Sequence, residues 1–132
     1  MKNKNKVALY IYTATDNEKQ LYKQNYHLEL YCDGKEYEIV STYIDLGCKG
    51  KDRPSYNKML EDMKANKFTR IITISVDRIS RNSIELNEFI KTIDEYNCAF
   101  ETVLGNCGGS NTDVKFMRIL QSYYAEDDLI TN

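Results

Sequence analysis

Short apolar runs and helical stripes alternate along this chain almost from end to end. Lys6–Thr13 (KVALYIYT) is apolar without clean polar alternation, as a strand covered on both faces would be. Residues 14–17 (ATDN) supply turn and N-cap chemistry. Over 18–33, Leu21, Leu28 and Tyr31 or Cys32 form a helical stripe, and Gly34 stands where a left-handed C-cap residue belongs. Residues 37–44 (YEIVSTYI), rich in β-branched and aromatic side chains, predict a second strand. Residues 45–53 (DLGCKGKDR) form a glycine- and charge-rich loop, expected to be mobile, and Pro54 opens a helix with Met59, Leu60 and Met63 as its core stripe.

The third strand is the run 71–76 (IITISV), which stops abruptly at Asp77-Arg78-Ile79-Ser80-Arg81. A helix follows from Asn82 and Ser83, with Ile84, Leu86, Phe89, Ile90 and Ile93 as its apolar side and Asn82-x-x-Glu85 as a weak capping box. Residues 98–103 (CAFETV) predict a fourth strand, 104–111 a Gly/Asn loop, and a final helix carries Val114, Met117, Leu120 and Tyr124 on one side. Alternating strands and helices argue for an α/β fold with a largely parallel sheet.

Composition narrows the field. A chain of 132 residues, 42% hydrophobic and 29% charged, fits a single globular domain. No run approaches the ~18 apolar residues of a membrane span, and no secretory signal is evident. Cys32, Cys48, Cys98 and Cys107 contain no C-x-x-C pair, so reduced thiols in a cytoplasmic protein are expected, without a zinc site or disulfide framework. His27 is the sole histidine, which excludes a histidine-built metal cluster or triad. A net charge of −2 lacks the basic excess of an autonomous nucleic-acid binder, so any DNA role must rest on local charges or on a partner.

Local charge is concentrated at Asp77, Arg78 and Arg81, just beyond the third strand, where ligand chemistry collects in open α/β sheets. A helical turn there would put the two arginines on one side, and two guanidinium forks suit a phosphate. An isolated Asp-Arg pair would more simply be a solvated strand-to-helix turn.

The surroundings add to that reading. Ala8-Leu9-Tyr10-Ile11, Gln24 with Leu28, Asp45-x-Gly47-x-x-Gly50 followed by Arg53-Pro54, Asp77-Arg78-x-Ser80-Arg81 and Ala125-Glu126 together resemble the catalytic domain of the serine recombinases, the resolvase/invertase family, over nearly the whole chain. The resemblance implies a resolvase-like three-layer fold, with a central, mostly parallel sheet of about four to five strands, flanking helices and a long C-terminal helix. It implies site-specific DNA recombination by phosphodiester cleavage and strand exchange, without metal or cofactor. Arg53, Arg78 and Arg81 would bind phosphate and stabilise the transition state. Asp77 would orient an arginine or assist proton transfer, with Gln24 in support and Lys49 at the loop. The implied partners are double-stranded DNA, through a separate DNA-binding region, and further copies of the chain, a dimer or, when active, a tetramer, joined by the final helix. The chain is expected to be one domain, 1–132, with that helix cut short from about 112 and no DNA-binding domain.

Three positions depart from the family pattern. Ala14 occupies the place of the nucleophilic serine and has no atom able to attack. Tyr12 stands for an active-site arginine, and Lys49 for a loop serine. Thr13 and Thr15 flank the vacancy but should point away from it on an extended backbone. A recombinase catalytic domain inactive in cleavage is therefore expected, the alternative being a non-catalytic assembly or regulatory module of the same fold. A flavodoxin-like domain holding a small phosphorylated ligand on Arg78 and Arg81 is less favoured, since no glycine-rich phosphate loop follows the first strand.

Overall fold

The computed structural model describes residues 5–47 and 52–104. Four strands, β1 (Lys6–Thr13), β2 (Glu38–Leu46), β3 (Arg70–Thr73) and β4 (Ala99–Thr102), form one sheet in the order β2-β1-β3-β4, and every pairing is parallel. Helices α1 (Glu18–Lys35), α2 (Pro54–Lys64) and α3 (Ser83–Glu95) connect them, and a single 3₁₀ turn, Val76–Arg78, follows β3.

Side-chain alternation along β1 divides the interior in two. Val7, Leu9 and Ile11 face α1 and pack with Leu28, Cys32 and Ile72. Ala8 and Tyr10 face α2 and α3 and pack with Met59, Met63, Phe89 and Phe100. Residues Val7 to Ile11 are all fully buried, as the unbroken apolar run predicts. The outcome is a three-layer α/β domain with α1 on one side and α2 and α3 on the other.

Several boundaries differ from the sequence reading. Gly34 lies inside the last turn of α1, and Glu36 takes the left-handed C-cap conformation (φ 60°) while its N–H bonds to the carbonyls of Cys32 and Asp33. β2 runs to Leu46, so Asp45 belongs to a buried strand end rather than to a loop. The β1–β2 register slips between Val7 and Ala8, which leaves Val40 as the extra residue of a bulge. β3 ends at Thr73, three residues short of the expected Val76, because the chain turns into the 3₁₀ segment at Val76. On α3, Leu86, Phe89, Ile90 and Ile93 are buried, but Ile84 is 67% exposed in the first turn. Asn82 caps α3 by accepting from the N–H groups of Ile84 and Glu85. The capping box is closed indirectly: the Glu85 carboxylate accepts from the Ser80 hydroxyl, and Ser80 Oγ accepts from the Asn82 N–H. The loop residues 48–51 and the expected final helix with Val114, Met117, Leu120 and Tyr124 lie outside the described residues.

Candidate active site

Strands β1, β3 and β4 end alike. Thr13, Thr73 and Thr102 are buried, and each hydroxyl donates to the carbonyl two residues on, at Thr15, Ser75 and Leu104. These turns bring the segments after β1 and β3 together at the point where the sheet order reverses. That is where a doubly wound sheet opens its ligand crevice.

A cavity of about 370 Å³ lies there, and Tyr12, Ala14, Arg53, Asp77, Arg78 and Arg81 all line it. Segments 69 positions apart in the chain, Tyr12 to Arg81, thus meet in one crevice. Arg53 is the residue before α2, and its Nη1 donates to the Arg78 carbonyl at 3.1 Å. Its guanidinium sits 4.3 Å from the Tyr56 ring centroid, 5.5 Å from Tyr12 and 6.0 Å from Tyr10, a geometry of cation–π attraction on three sides. Arg78 donates from Nη1 to the Tyr12 carbonyl at 3.4 Å. The Nε–H groups of both arginines are buried and lack an acceptor among the described residues.

Asp77 accepts from the Ser75 hydroxyl and pairs with Arg81 at 3.7 Å. Arg81, beyond the 3₁₀ turn, is 61% exposed, so its pair with Asp77 orients the side chain more than it stabilises the fold. Ala14 is exposed at the mouth and offers only a methyl group. Thr13 is buried, with its hydroxyl committed to the turn, while Thr15 is exposed.

Gln24 lies elsewhere. It does not line this cavity; from the α1 side it donates through Nε2 to the Tyr12 carbonyl at 3.1 Å, the same oxygen that Arg78 reaches. Lys49 lies outside the described residues.

Two contributors are missing from the sequence reading. Tyr56, three residues after Arg53, supplies the nearest aromatic face. Asp45, singled out only as a motif letter, is 2% exposed and accepts from the Tyr10 hydroxyl at 2.8 Å and from the Ser55 and Tyr56 N–H groups at 3.0 and 2.9 Å. It caps α2 from outside the helix, because Arg53 at the N-cap position makes no side-chain cap. Burial, and then the bond to Asp45, push the Tyr10 phenol far above its ordinary value, so it stays protonated and donating. Burial likewise raises Tyr56 to about 12 despite the opposing Arg53 charge.

Three arginines line one crevice, and their planar guanidinium forks suit a tetrahedral anion. Among the described residues no three His, Cys, Asp or Glu side chains gather as metal ligands would.

A parallel sheet with Arg53, Arg78 and Arg81 gathered at its switch point is the architecture of an α/β domain of the recombinase catalytic type. The chain belongs to the resolvase family, whose N-terminal domain model matches residues 7–129. A search of the curated proteins finds no match. Among solved structures, the fold is similar to a resolvase family site-specific recombinase from Streptococcus pneumoniae, at 25% identity and a TM-score of 0.78, with 97% of this chain and 90% of that chain covered. It is similar to the N-terminal catalytic domain of TP901-1 integrase, at 18% identity and a TM-score of 0.78, over 97% of this chain and 100% of that one. The catalytic domain of the serine recombinase ISC1926 TnpA is also similar, at 15% identity and a TM-score of 0.70, over 96% and 99%. These likenesses bear out the three-layer fold and the family that the motifs imply.

Proposed function

We propose that this chain is the catalytic-type domain of a site-specific DNA recombinase that keeps its phosphate clamp and has lost strand cleavage. The observation that carries the reading is the meeting of Arg53, Arg78 and Arg81 around Ala14 in one crevice. The clamp would take a backbone phosphate of double-stranded DNA, with Asp77 holding Arg81 and Gln24 steadying the Tyr12 carbonyl. Serine-type attack is ruled out at position 14 because a methyl group supplies no nucleophile. Copies would pair through the segment carrying Val114, Met117, Leu120 and Tyr124, whose apolar periodicity supports an interface. Buried Cys32, a reduced thiol, suits the reducing cytoplasm in which such DNA chemistry would occur.

Duplex DNA at low salt tests the clamp. Binding should weaken steeply with salt, and neutralising Arg81 should lower the log–log salt slope by about 1. Supercoiled plasmid incubated with the wild-type chain should yield no protein–DNA adduct. An adduct would overturn the loss of cleavage, and binding insensitive to Arg78→Gln and Arg81→Gln would overturn the clamp.

The tyrosine ring at position 12 favours a second reading, a module repurposed for assembly, since it packs on Arg53 instead of adding a guanidinium. The double variant Tyr12→Arg/Ala14→Ser separates the two. Nicked DNA joined to protein would support a domain whose only defect is local. A folded but inert double variant would support the module.

A further inference from the structure

On the α1 side of the same strand ends lies a second cavity, of about 280 Å³. Lys23, Gln24 and His27 of α1 form one wall, and Ile74, Val103 and Leu104 form an apolar one. Arg78 lines this cavity as well as the clamp, so one guanidinium lies between the two.

Gln24 occupies a core position of α1, on the stripe it shares with buried Leu28 and Cys32, and is 3% exposed. Its Nε2 donates to the Tyr12 carbonyl, and that bond settles the amide orientation, because the flipped amide would set two oxygens against each other. The Oε1 atom is then a buried acceptor with no donor among the described residues. Burial of an unsatisfied acceptor is costly, so a donor from a bound molecule is the natural completion.

The rest of the lining describes that molecule. Gln24 Oε1 asks for an N–H donor, and the apolar wall suits the face of a planar ring. Lys23 and His27, one helical turn apart and exposed at the rim, and the unpaired Arg78 Nε–H suit an anion. The volume lies at the small end of ligand sites, enough for one ring system with a single anionic group.

We propose that this pocket binds a nucleoside monophosphate, with an exocyclic amine on Gln24 Oε1 and the phosphate toward Lys23, His27 and Arg78. Occupancy also restrains Arg78, so the pocket communicates with the phosphate clamp across that side chain.

Titration of the ¹⁵N-labelled chain with AMP tests this, with adenosine and inorganic phosphate as partial probes. Saturable shifts are expected at the Gln24 side-chain amide, the Arg78 Nε–H and the Val103 and Leu104 amides. The Lys23→Ala/His27→Ala variant, altered only at exposed positions, should bind AMP about tenfold more weakly, equivalent to ~1.4 kcal/mol. Adenosine should move the Gln24 and Val103 signals at higher concentration only. Shifts confined to Arg53 and Arg81 would mean that the clamp alone takes the nucleotide, and would overturn the proposal. So would AMP affinity unchanged in the double variant, or a crystal structure grown with AMP showing only a water on Gln24 Oε1. Failure of the clamp itself would appear differently, as inorganic phosphate leaving Arg53 and Arg81 unshifted.

Discussion

At the scale of single residues, Arg53 shows how a half-buried cation is held with no carboxylate ion pair among the described residues. Its charge lies against three tyrosine rings, and its Nη1 donates to a backbone oxygen, the Arg78 carbonyl. A carboxylate would orient the arginine but cancel the charge that a phosphate needs; an aromatic face orients it and leaves the charge in place. Replacing Tyr56 with Leu should therefore weaken phosphate binding about fivefold, or ~1 kcal/mol, read by titration with inorganic phosphate. Asp77, Arg78 and Arg81 are legible in the sequence because they form a compact motif, and Arg53 because it follows the glycines of the loop before Pro54. The tyrosine surround is not, because Tyr10 and Tyr56 meet only when β1 lies beside the start of α2 (ring centroids 5.6 Å apart). Gln24 was legible as a residue of interest but not as a core one. The spacing of Gln24, Leu28 and Cys32 carries that signal, and polarity at position 24 masks it.

At the scale of elements, β2 and α2 are joined by one carboxylate. Asp45 satisfies two of the N–H groups that the start of α2 leaves open and fixes the Tyr10 ring on the same oxygens. Asp45→Ala should cost about 2–3 kcal/mol, since it removes a helix cap and strands a buried phenol. Urea unfolding would measure the loss, and a drop in phosphate affinity should accompany it because Arg53 adjoins the loosened turn. The alternation of strands and helices was readable from apolar periodicity, and most boundaries fall within two or three residues of the reading. Where they differ, tertiary contacts decide. Asp45 reads as a loop residue by type, yet its buried partners hold it at a strand end. Gly34 reads as a C-cap, yet Glu36 takes the left-handed conformation one turn-closing step later.

At the scale of the whole molecule, the two faces of the sheet are closed by different chemistry. The α2/α3 face is largely apolar and aromatic, with Phe89 edge-on to Phe100 at 5.2 Å and two buried carboxylates, Asp45 and Asp62, each accepting from one tyrosine hydroxyl. The α1 face carries a buried ionic cluster in which Glu101 accepts from the Tyr31 and Tyr37 hydroxyls and pairs with Arg70. Burial by itself would raise the Glu101 carboxyl, but the two phenols and the charges of Arg70 and Lys35 prevail and hold it below its ordinary value. A folded-state value that is depressed contributes stability above the unfolded value, about 4.3 for glutamate, and that contribution is lost as pH falls through the folded value. Wild-type stability should therefore decline as pH is lowered past about 4.3. Glu101→Gln should be about 3 kcal/mol less stable at neutral pH, since it leaves Arg70 half-buried without its partner. Its decline below that pH should be shallower, though not absent, because Asp62 is also held low, first by the Tyr43 hydroxyl. A pH series of urea midpoints would compare the two slopes. The strand order, unlike the alternation, was not readable from periodicity, because it depends on which strands the helices carry across the sheet.

The tyrosines around Arg53 have an optical use. The chain contains no tryptophan, so a Tyr12→Trp variant would place a single indole, excitable to the red of the tyrosines, against the guanidinium of the clamp. Binding of an anion to Arg53 should change that indole's brightness and emission maximum, and would report occupancy of the crevice without a label on either DNA or protein.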